Sequence, residues 1–400
     1  MPGPATEARF PDRPRRVSIL GATGSIGRST AALLRERPDL YDVQAIVGGD
    51  RAAELAALAL ALGAKRAVIA NPDRLAELSG LLAGSDIEVE AGREAVVAAA
   101  ALPADWIMSA ITGAAGLEPT MAALRQGSFV ALANKESIVC AGDLMIKAAH
   151  AHGSLILPVD SEHNAIFQCL GSRGESDGAA DMGVEKLILT ASGGPFRQLS
   201  LAEMAHVRPS DALAHPVWSM GAKISIDSAT MMNKGFEIIE AHHLFGLPPA
   251  RIEVLVHPQS VIHSMVGFVD GSHLAQLGSP DMRIPIASTL GWPERLTTGA
   301  PRLDLAEIGD LTFEPPDPIR FPALRLARSA LEAGGTAPAL LNAANEVAVE
   351  AFLQGAIGFL DIARICERVL DDIESTRLMD LAAVALADQQ GRALAKQLIG

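Results

Sequence analysis

Residues 15–49, RRVSILGATGSIGRSTAALLRERPDLYDVQAIVGG, constrain the fold more than any other stretch of the chain. The apolar run Val17–Leu20 ends at Gly21, and Gly21, Gly24 and Gly27 follow at intervals of three. Ile26, Leu33 and Leu34 then recur at helical spacing, and VQAIV reads as a second strand. Strand, glycine turn, helix and strand make a βαβ unit, whose parallel strands need helices on both faces. The fold class expected is therefore α/β with an N-terminal Rossmann-like parallel sheet. In such a unit the glycines let the backbone approach a pyrophosphate at the helix N-terminus, and Thr23 and Ser25 add hydroxyl donors. The spacing is not the commonest dinucleotide pattern, so its place between a strand and a helix carries the reading; a turn with glycine only for packing is the alternative. The second strand ends in Gly48-Gly49-Asp50-Arg51, where Asp50 suits a ribose 2′-hydroxyl and Arg51 a 2′-phosphate. Spacing leaves that choice open.

Further α/β units follow. RAVIA, ADWIMSAI and GSFVALAN read as strands, and the last runs into ALANKES, placing Asn134, Lys135 and Glu136 at a strand end where ligands bind in open parallel sheets. Asn134 is also a candidate helix cap. LPVDSEHNAIFQ, residues 157–168, sets Asp160 and Glu162 on either side of Ser161. On an extended strand, residues two apart share a side, so these carboxylates repel unless a turn solvates them, a helix start uses them, or a divalent cation binds them.

KLILTASGGPF reads as a strand entering a glycine-rich loop, where Ser192 and nearby N–H groups suit an anion. KISIDSATMMNKGFEIIEAHHLFG reads as an alternating strand, then a helix from about Asn233. Ser228, Asn233 and Lys234 would gather at that helix N-terminus, as phosphate donors or as ordinary caps. Glu237 and Glu240 on the helix both qualify as a third oxygen ligand for Mg²⁺ or Mn²⁺, and spacing does not separate them. HPVWSMGAK contains Trp218, either a core residue or part of a lid. RIEVLVHPQSVIHSMVGFVDGSHLAQLG reads as a β-meander with His257 and His263 on the sheet face. Residues 291–321 are rich in proline and read as a linker, and the remainder as a helical bundle.

Four hundred residues imply more than one core. With 33 basic against 47 acidic residues and no basic run beyond the N-terminus, nucleic acid is not an expected partner. No apolar run has the length of a membrane span, and the N-terminal residues lack the apolar core of a secretory signal, so a cytoplasmic location is expected. Three scattered cysteines are expected to be unpaired thiols.

GATGSIG, ALANKES, LPVDSEHNAIFQ, TASGGPF, HPVWSMGAKISIDSATMMNKGFEIIEAHHLFG and VHPQSVIHSMV together resemble the 1-deoxy-D-xylulose 5-phosphate reductoisomerase family, in order and over nearly the whole chain. The resemblance implies conversion of that sugar phosphate to 2-C-methyl-D-erythritol 4-phosphate in the non-mevalonate isoprenoid route, with NADPH and Mn²⁺, Mg²⁺ or Co²⁺, by a homodimer. It implies Asp160, Glu162 and Glu237 as metal ligands. Thr23, Gly24, Ser25, Ile26, Gly49, Arg51, Asn134, Glu136 and Gly221 would contact NADPH. Lys135, Ser161, Glu162, Ser192, His215, Trp218, Ser228, Asn233, Lys234 and Glu237 would contact the substrate, with Lys135, Glu162 and His215 nearest the chemistry. The corresponding domains are a tail over 1–15, an NADPH domain over 16–156, a catalytic α+β domain over 157–290 with a flexible loop at 215–221, the linker over 291–321 and a helical domain over 322–400. From the residues alone, another metal-assisted NAD(P)-dependent dehydrogenase of a hydroxy acid or semialdehyde, or a nucleotide-sensing module, would share the first domain.

Overall fold

The structure, a computed structural model, describes residues 13–171, 179, 182–213 and 221–400. The tail expected over 1–15 lies outside them except for its last three residues. Arg13 pairs with Asp105, and Arg15 opens the first strand. Most of the loop expected at 215–221, including His215 and Trp218, also lies outside the described residues.

Seven strands form a parallel sheet: β1 (Arg15–Leu20), β2 (Tyr41–Gly48), β3 (Arg66–Ile69), β4 (Glu88–Ala91), β5 (Trp106–Ser109), β6 (Phe129–Leu132) and β7 (Leu155–Pro158). Their order, β4-β3-β2-β1-β5-β6-β7, reverses at β1, and in such sheets ligands bind outside the strand ends at that reversal. Helices α1 (Ser25–Glu36), α2 (Ala52–Leu62), α3 (Leu75–Leu81), α4 (Arg93–Ala100), α5 (Leu117–Leu124) and α6 (Lys135–His152) connect them, and α7 (Ser161–Leu170) follows β7. The central strands are buried on both faces: Val17, Ile19, Ile46, Ile107, Met108 and Val130 are all 0 % exposed. That burial explains why β1 and β5 read as unbroken apolar runs. β4, sequence EVEA, is exposed or half-buried and carries no such signal.

A second sheet comprises β8 (Val184–Ala191), β9 (Ile252–Val256), β10 (Ile262–Phe268) and β11 (His273–Leu277) in the order β11-β10-β8-β9. The expected meander is corrected here. β10 and β11 form a hairpin, but β8 inserts between β9 and β10, parallel to β9 and antiparallel to β10. His257 is not on a sheet face either. Its Nε2 accepts from the Val261 and Ile262 N–H groups, so the ring holds the turn between β9 and β10.

Between β8 and β9 run α8 (Leu201–Met204), α9 (Pro209–Ala212), α10 (Ala222–Ala229) and α11 (Met232–Phe245). KISID, expected as a strand, lies within α10. After β11 come α12 (Arg283–Gly291), α13 (Leu305–Ile308), α14 (Ala323–Ala333), α15 (Ala337–Leu353), α16 (Phe359–Asp372) and α17 (Leu381–Ile399). α14, α16 and α17 surround α15, which is buried on nearly every side and accordingly lacks a polar face. Cys366 on α16 is fully buried, and Cys140, Cys169 and Cys366 form no disulfide.

Two compact units result, and neither is contiguous in sequence. The first comprises the chain up to Ser137, Met145–Asn164 and Asp281–Pro301. The second comprises Ile138–Leu144, Ala165–Pro280 and Arg302–Gly400. In the first, α12 packs on α1, β6 and β7, and the buried Arg15 guanidinium donates to the Leu290 carbonyl while stacking 5.2 Å from the Phe129 ring centroid. In the second, the proline-rich stretch is tied down: Arg197 pairs with Glu314 at 2.9 Å, and Arg320 donates to the Arg197 and Leu199 carbonyls.

Also in the second unit, the His243 ring of α11 lies against Gly142, where an added Cβ would stand 2.2 Å from the imidazole. Burial pushes the His243 imidazole down to about 4 from 6.5; Asp143 opposes this shift and His242 reinforces it. Between those values the unfolded chain binds a proton that the folded chain refuses. The stability this site contributes is therefore present above pH 6.5 and is lost as pH falls toward 4, by about 3 kcal/mol in total. Acid unfolding followed by circular dichroism should accordingly be shallower between pH 6.5 and 4 in His243→Phe than in the parent; equal slopes would mean that His243 is protonated in the fold.

Candidate active site

Residues of the first unit build a candidate dinucleotide cradle at the end of β1. Gly21 and Ala22 donate their N–H groups to the Val47 carbonyl at 3.0 and 2.7 Å, which clamps the glycine turn onto β2. Gly27, in the first turn of α1, sits so close to this turn that a Cβ would stand 2.2 Å from the Gly21 oxygen and 2.5 Å from the Ala22 Cα. Close backbone approach, and not a positive φ, is what demands glycine there. The α1 N-terminus has no side-chain cap and no acidic residue in its first turn, so its N–H groups remain suited to a pyrophosphate. Thr23 is buried, Gly24 and Ile26 are half-buried, and Ser25 is exposed at this mouth.

Asp50 and Arg51 take different partners. Asn71 donates its side-chain amide to the Asp50 carboxylate at 2.7 Å. Arg51 instead donates to the Thr23 carbonyl and pairs with Glu54 at 3.0 Å, so its guanidinium lies over the glycine turn. Arg28 joins it, at 2.9 Å from Glu54 and 3.0 Å from the Thr23 oxygen. Arg28 and Arg51 thus form a pair of cations beside the glycine turn, and nothing in the spacing had singled out Arg28. Gly49 borders open space. Arg51→Ala should raise KM for NADPH about tenfold and leave that for NADH nearly unchanged, as read from initial rates with each cofactor.

At the end of β6, Asn134 caps α6 by accepting from the Ser137 N–H at 2.8 Å, and its amide donates to the Ile111 and Gly113 carbonyls. It therefore shapes the mouth of the sheet whatever else it touches. Lys135 and Glu136 open the helix, half-buried. The Lys135 ammonium lies 2.8 Å from Asp160 Oδ2, with both side chains only about one-sixth exposed. The expected strand geometry does not hold at Asp160 and Glu162: β7 ends at Pro158, Asp160 immediately precedes α7, and Ser161 and Glu162 form its first turn. Glu162 donates its N–H to Asp160 Oδ1 at 3.4 Å, and the Ser161 hydroxyl donates to Glu162 Oε2 at 2.6 Å. Burial acts to raise the Asp160 carboxyl, but Lys135 and His163 outweigh it and hold the group well below the usual carboxylate range. These partners favour its charged form despite its partial burial.

The second unit carries a candidate anion cradle. β8 ends at Ala191, and the Ser192 hydroxyl then accepts from the Gly194 N–H at 3.2 Å. Gly194, at φ +67°, is pressed so tightly on the C-terminal end of α10 that a Cβ would stand 2.8 Å from the Ser228 oxygen. From Ser228 the chain turns a corner at Thr230 and Met231, the latter at φ 61°, and enters α11. The Thr230 hydroxyl supports this corner, donating to the Ile226 carbonyl at 3.1 Å and accepting from the Met232 N–H at 3.3 Å. Asn233 then donates to Glu237 Oε1 at 2.5 Å, and the Lys234 ammonium contacts Glu237 Oε2. Glu237 is 0 % exposed and Lys234 4 %. Loop, helix end and helix start thus carry Ser192, Ser228, Asn233 and Lys234 in succession, with Gly221 exposed at the other end of α10. Glu240, one turn on, is buried in the same helix.

Three family models match the chain: 1-deoxy-D-xylulose 5-phosphate reductoisomerase over residues 17–142, its C-terminal domain over 156–245, and DXP reductoisomerase C-terminal domain over 277–394. The 1-deoxy-D-xylulose 5-phosphate reductoisomerase of Rhodospirillum centenum is 55 % identical over 96 % of this chain and 94 % of its own. The chain belongs to the 1-deoxy-D-xylulose 5-phosphate reductoisomerase family. Among solved structures, that of the reductoisomerase from Zymomonas mobilis in complex with NADPH superposes with a TM-score of 0.92 at 53 % identity, covering 97 % of this chain and 99 % of that one. A DOX-P reductoisomerase in complex with NADPH, fosmidomycin and magnesium gives a TM-score of 0.92 at 46 % identity, covering 96 % and 98 %. The parallel sheet and helical C-terminal region described above are those of this reductoisomerase fold.

Proposed function

We propose that the chain performs its family's reaction, the NADPH- and divalent-cation-dependent rearrangement and reduction of 1-deoxy-D-xylulose 5-phosphate to 2-C-methyl-D-erythritol 4-phosphate. The observation that carries this reading is the state of the carboxylates. Asp160 is held ionised against its burial, and Glu237 is wholly buried yet faced by an ammonium and an amide. Carboxylates in such surroundings suit a hard cation, and the donor set Asp160, Glu162 and Glu237 that the family resemblance implies, all oxygen, would fit Mg²⁺, Mn²⁺ or Co²⁺ better than zinc. When bound, the cation supplies polarisation of the ketone and acidification of the neighbouring hydroxyl, and NADPH supplies the hydride.

The chain's own residues have distinct tasks. Ser192, Ser228, Asn233 and Lys234 grip the phosphoryl group, converting binding energy remote from the reacting carbons into orientation. Lys135, at 2.8 Å from Asp160, stands ready to donate a proton or steady a developing oxyanion, while Ser161 orients Glu162 for proton transfer. Thr23, Gly24, Ser25, Ile26, Gly49, Arg51, Asn134, Glu136 and Gly221 would hold the cofactor. His215 and Trp218 are assigned to substrate contact and closure by family matching alone. The homodimer and the cytoplasmic setting belong to the same proposal; among the described residues no helix is long and apolar enough to cross a membrane.

The deciding experiment follows NADPH absorbance with purified protein and 1-deoxy-D-xylulose 5-phosphate, after chelation and after restoring Mn²⁺ or Mg²⁺. Consumption that stops with chelator and returns with metal is the expected result. A folded, NADPH-binding protein that consumes none under any metal would refute the assignment.

A further inference from the structure

Asp227 precedes Ser228 in α10 and is 2 % exposed, yet neither of its carboxylate oxygens is left to solvent. Oδ1 accepts from the side-chain amide of Asn345 at 2.7 Å, and Oδ2 lies 3.0 Å from the Lys223 ammonium one turn earlier. Asn345 is 0 % exposed at the middle of α15, a polar group inside the most apolar helix of the C-terminal bundle. Lys223 is itself positioned, 5.5 Å from the ring centroid of Phe236 on α11. The backbone at Asp227 is fastened too, since its carbonyl accepts from the Thr230 hydroxyl at 3.2 Å. This brace therefore spans α15, α10 and α11 and meets at the residue beside Ser228, where Gly194 also presses.

A buried asparagine and carboxylate add nothing that a pair of aliphatic residues would not supply to stability alone, and they cost desolvation. What they add is direction: a charged hydrogen bond fixes the rotation of a helix end where apolar contacts would tolerate sliding. We propose that Asn345 is a positioning residue for the anion cradle, acting through Asp227 to hold Ser228 and the corner leading to Asn233 and Lys234 at the spacing a phosphoryl group requires. The C-terminal helices thereby set the affinity of a site to which they contribute no ligand. The inference rests on the phosphate assignment made above for those four donors.

Asn345→Leu conserves volume and removes the donor. It should raise KM for 1-deoxy-D-xylulose 5-phosphate about tenfold with kcat changed less than about twofold, and weaken inorganic phosphate, measured by calorimetry, by a similar factor. The dissociation constant for NADPH should stay unchanged. The exchange Asp227→Asn with Asn345→Asp restores the bond with its polarity reversed and should recover most of the phosphate affinity. Lys223→Met acts on the other oxygen from a partly exposed position, so it tests the brace even where Asn345→Leu fails to fold; a loss of about threefold in phosphate affinity is expected. Unaltered phosphate affinity in the folded variants, or equal losses for phosphate and NADPH, would overturn the proposal. Wild-type protein that binds phosphate but leaves the sugar phosphate unconverted would overturn the assigned reaction and leave the brace standing.

Discussion

Glu237→Gln should lower kcat by about a thousandfold, a loss of about 4 kcal/mol of transition-state stabilisation, while NADPH binds as before. Glutamine has nearly the volume of glutamate, and its carbonyl can still accept from Asn233, so the helix around it need not move. What disappears is a negative charge in a place no water reaches, at 0 % exposure. A divalent cation would lose an anionic ligand, and the neighbouring Lys234 ammonium would face an amide in place of a carboxylate. Removing one partner of so buried a pair costs about 3–5 kcal/mol, so a lower melting temperature should accompany the kinetic loss. Calorimetric titration with Mn²⁺ separates the two effects: affinity should fall in the folded variant at a temperature well below its transition. Turnover close to that of the parent would remove Glu237 from the cation site.

Gly27→Ala should cost the protein its cofactor. The added methyl meets the Gly21 oxygen at 2.2 Å and two Ala22 backbone atoms at 2.5 and 2.6 Å, so no side-chain rotation relieves the clash. α1 must withdraw from the glycine turn, taking its N–H groups from the pyrophosphate position. Overpacking of this kind costs about 1–3 kcal/mol, and a weakening of NADPH binding by about thirtyfold is expected from cofactor fluorescence. Phosphate binding by the second unit should persist. Gly80→Ala in α3 supplies the contrast, because no atom lies within 4 Å of the added Cβ. It should leave NADPH binding intact and stabilise the helix by up to about 1 kcal/mol. Equal losses from both substitutions would mean that the close approach at Gly27 is not what limits the cradle.

Local chemistry explains why the first unit was so readable. β1, β2, β3, β5 and β6 are apolar because both sheet faces are covered, and the glycine turn is a backbone requirement written directly as residue type. The KISID segment shows the opposite case. Its alternation has the period of a strand, yet Ile224 is 41 % exposed and Ile226 fully buried in a helix whose inward face also carries Ser225 and Asp227. Those polar residues are acceptable inside because Lys223 and Asn345 satisfy Asp227, and the second partner lies 118 positions away in sequence. No window of neighbouring residues contains that information. The insertion of β8 between β9 and β10 was hidden for the same reason, since chain adjacency suggested a meander. Asp160 and Glu162 were legible as a pair, but the pleat that first linked them stops at Pro158, and a helix start takes its place. The motif was visible before its geometry.

The anchoring of Arg15 has a bearing on how the chain is made. The guanidinium at the start of β1 donates to Leu290, 275 residues later, and α12 closes over α1, β6 and β7. At the usual pace of about 5–20 residues per second, a ribosome needs roughly tens of seconds to travel from one partner to the other. From the completion of β7 to the end of that interval, the nascent sheet lacks the helix that covers it. A stop codon anywhere before α12 would leave the same apolar surface permanently open, so truncated products of this message should be chaperone clients even when every residue of the cofactor cradle is present.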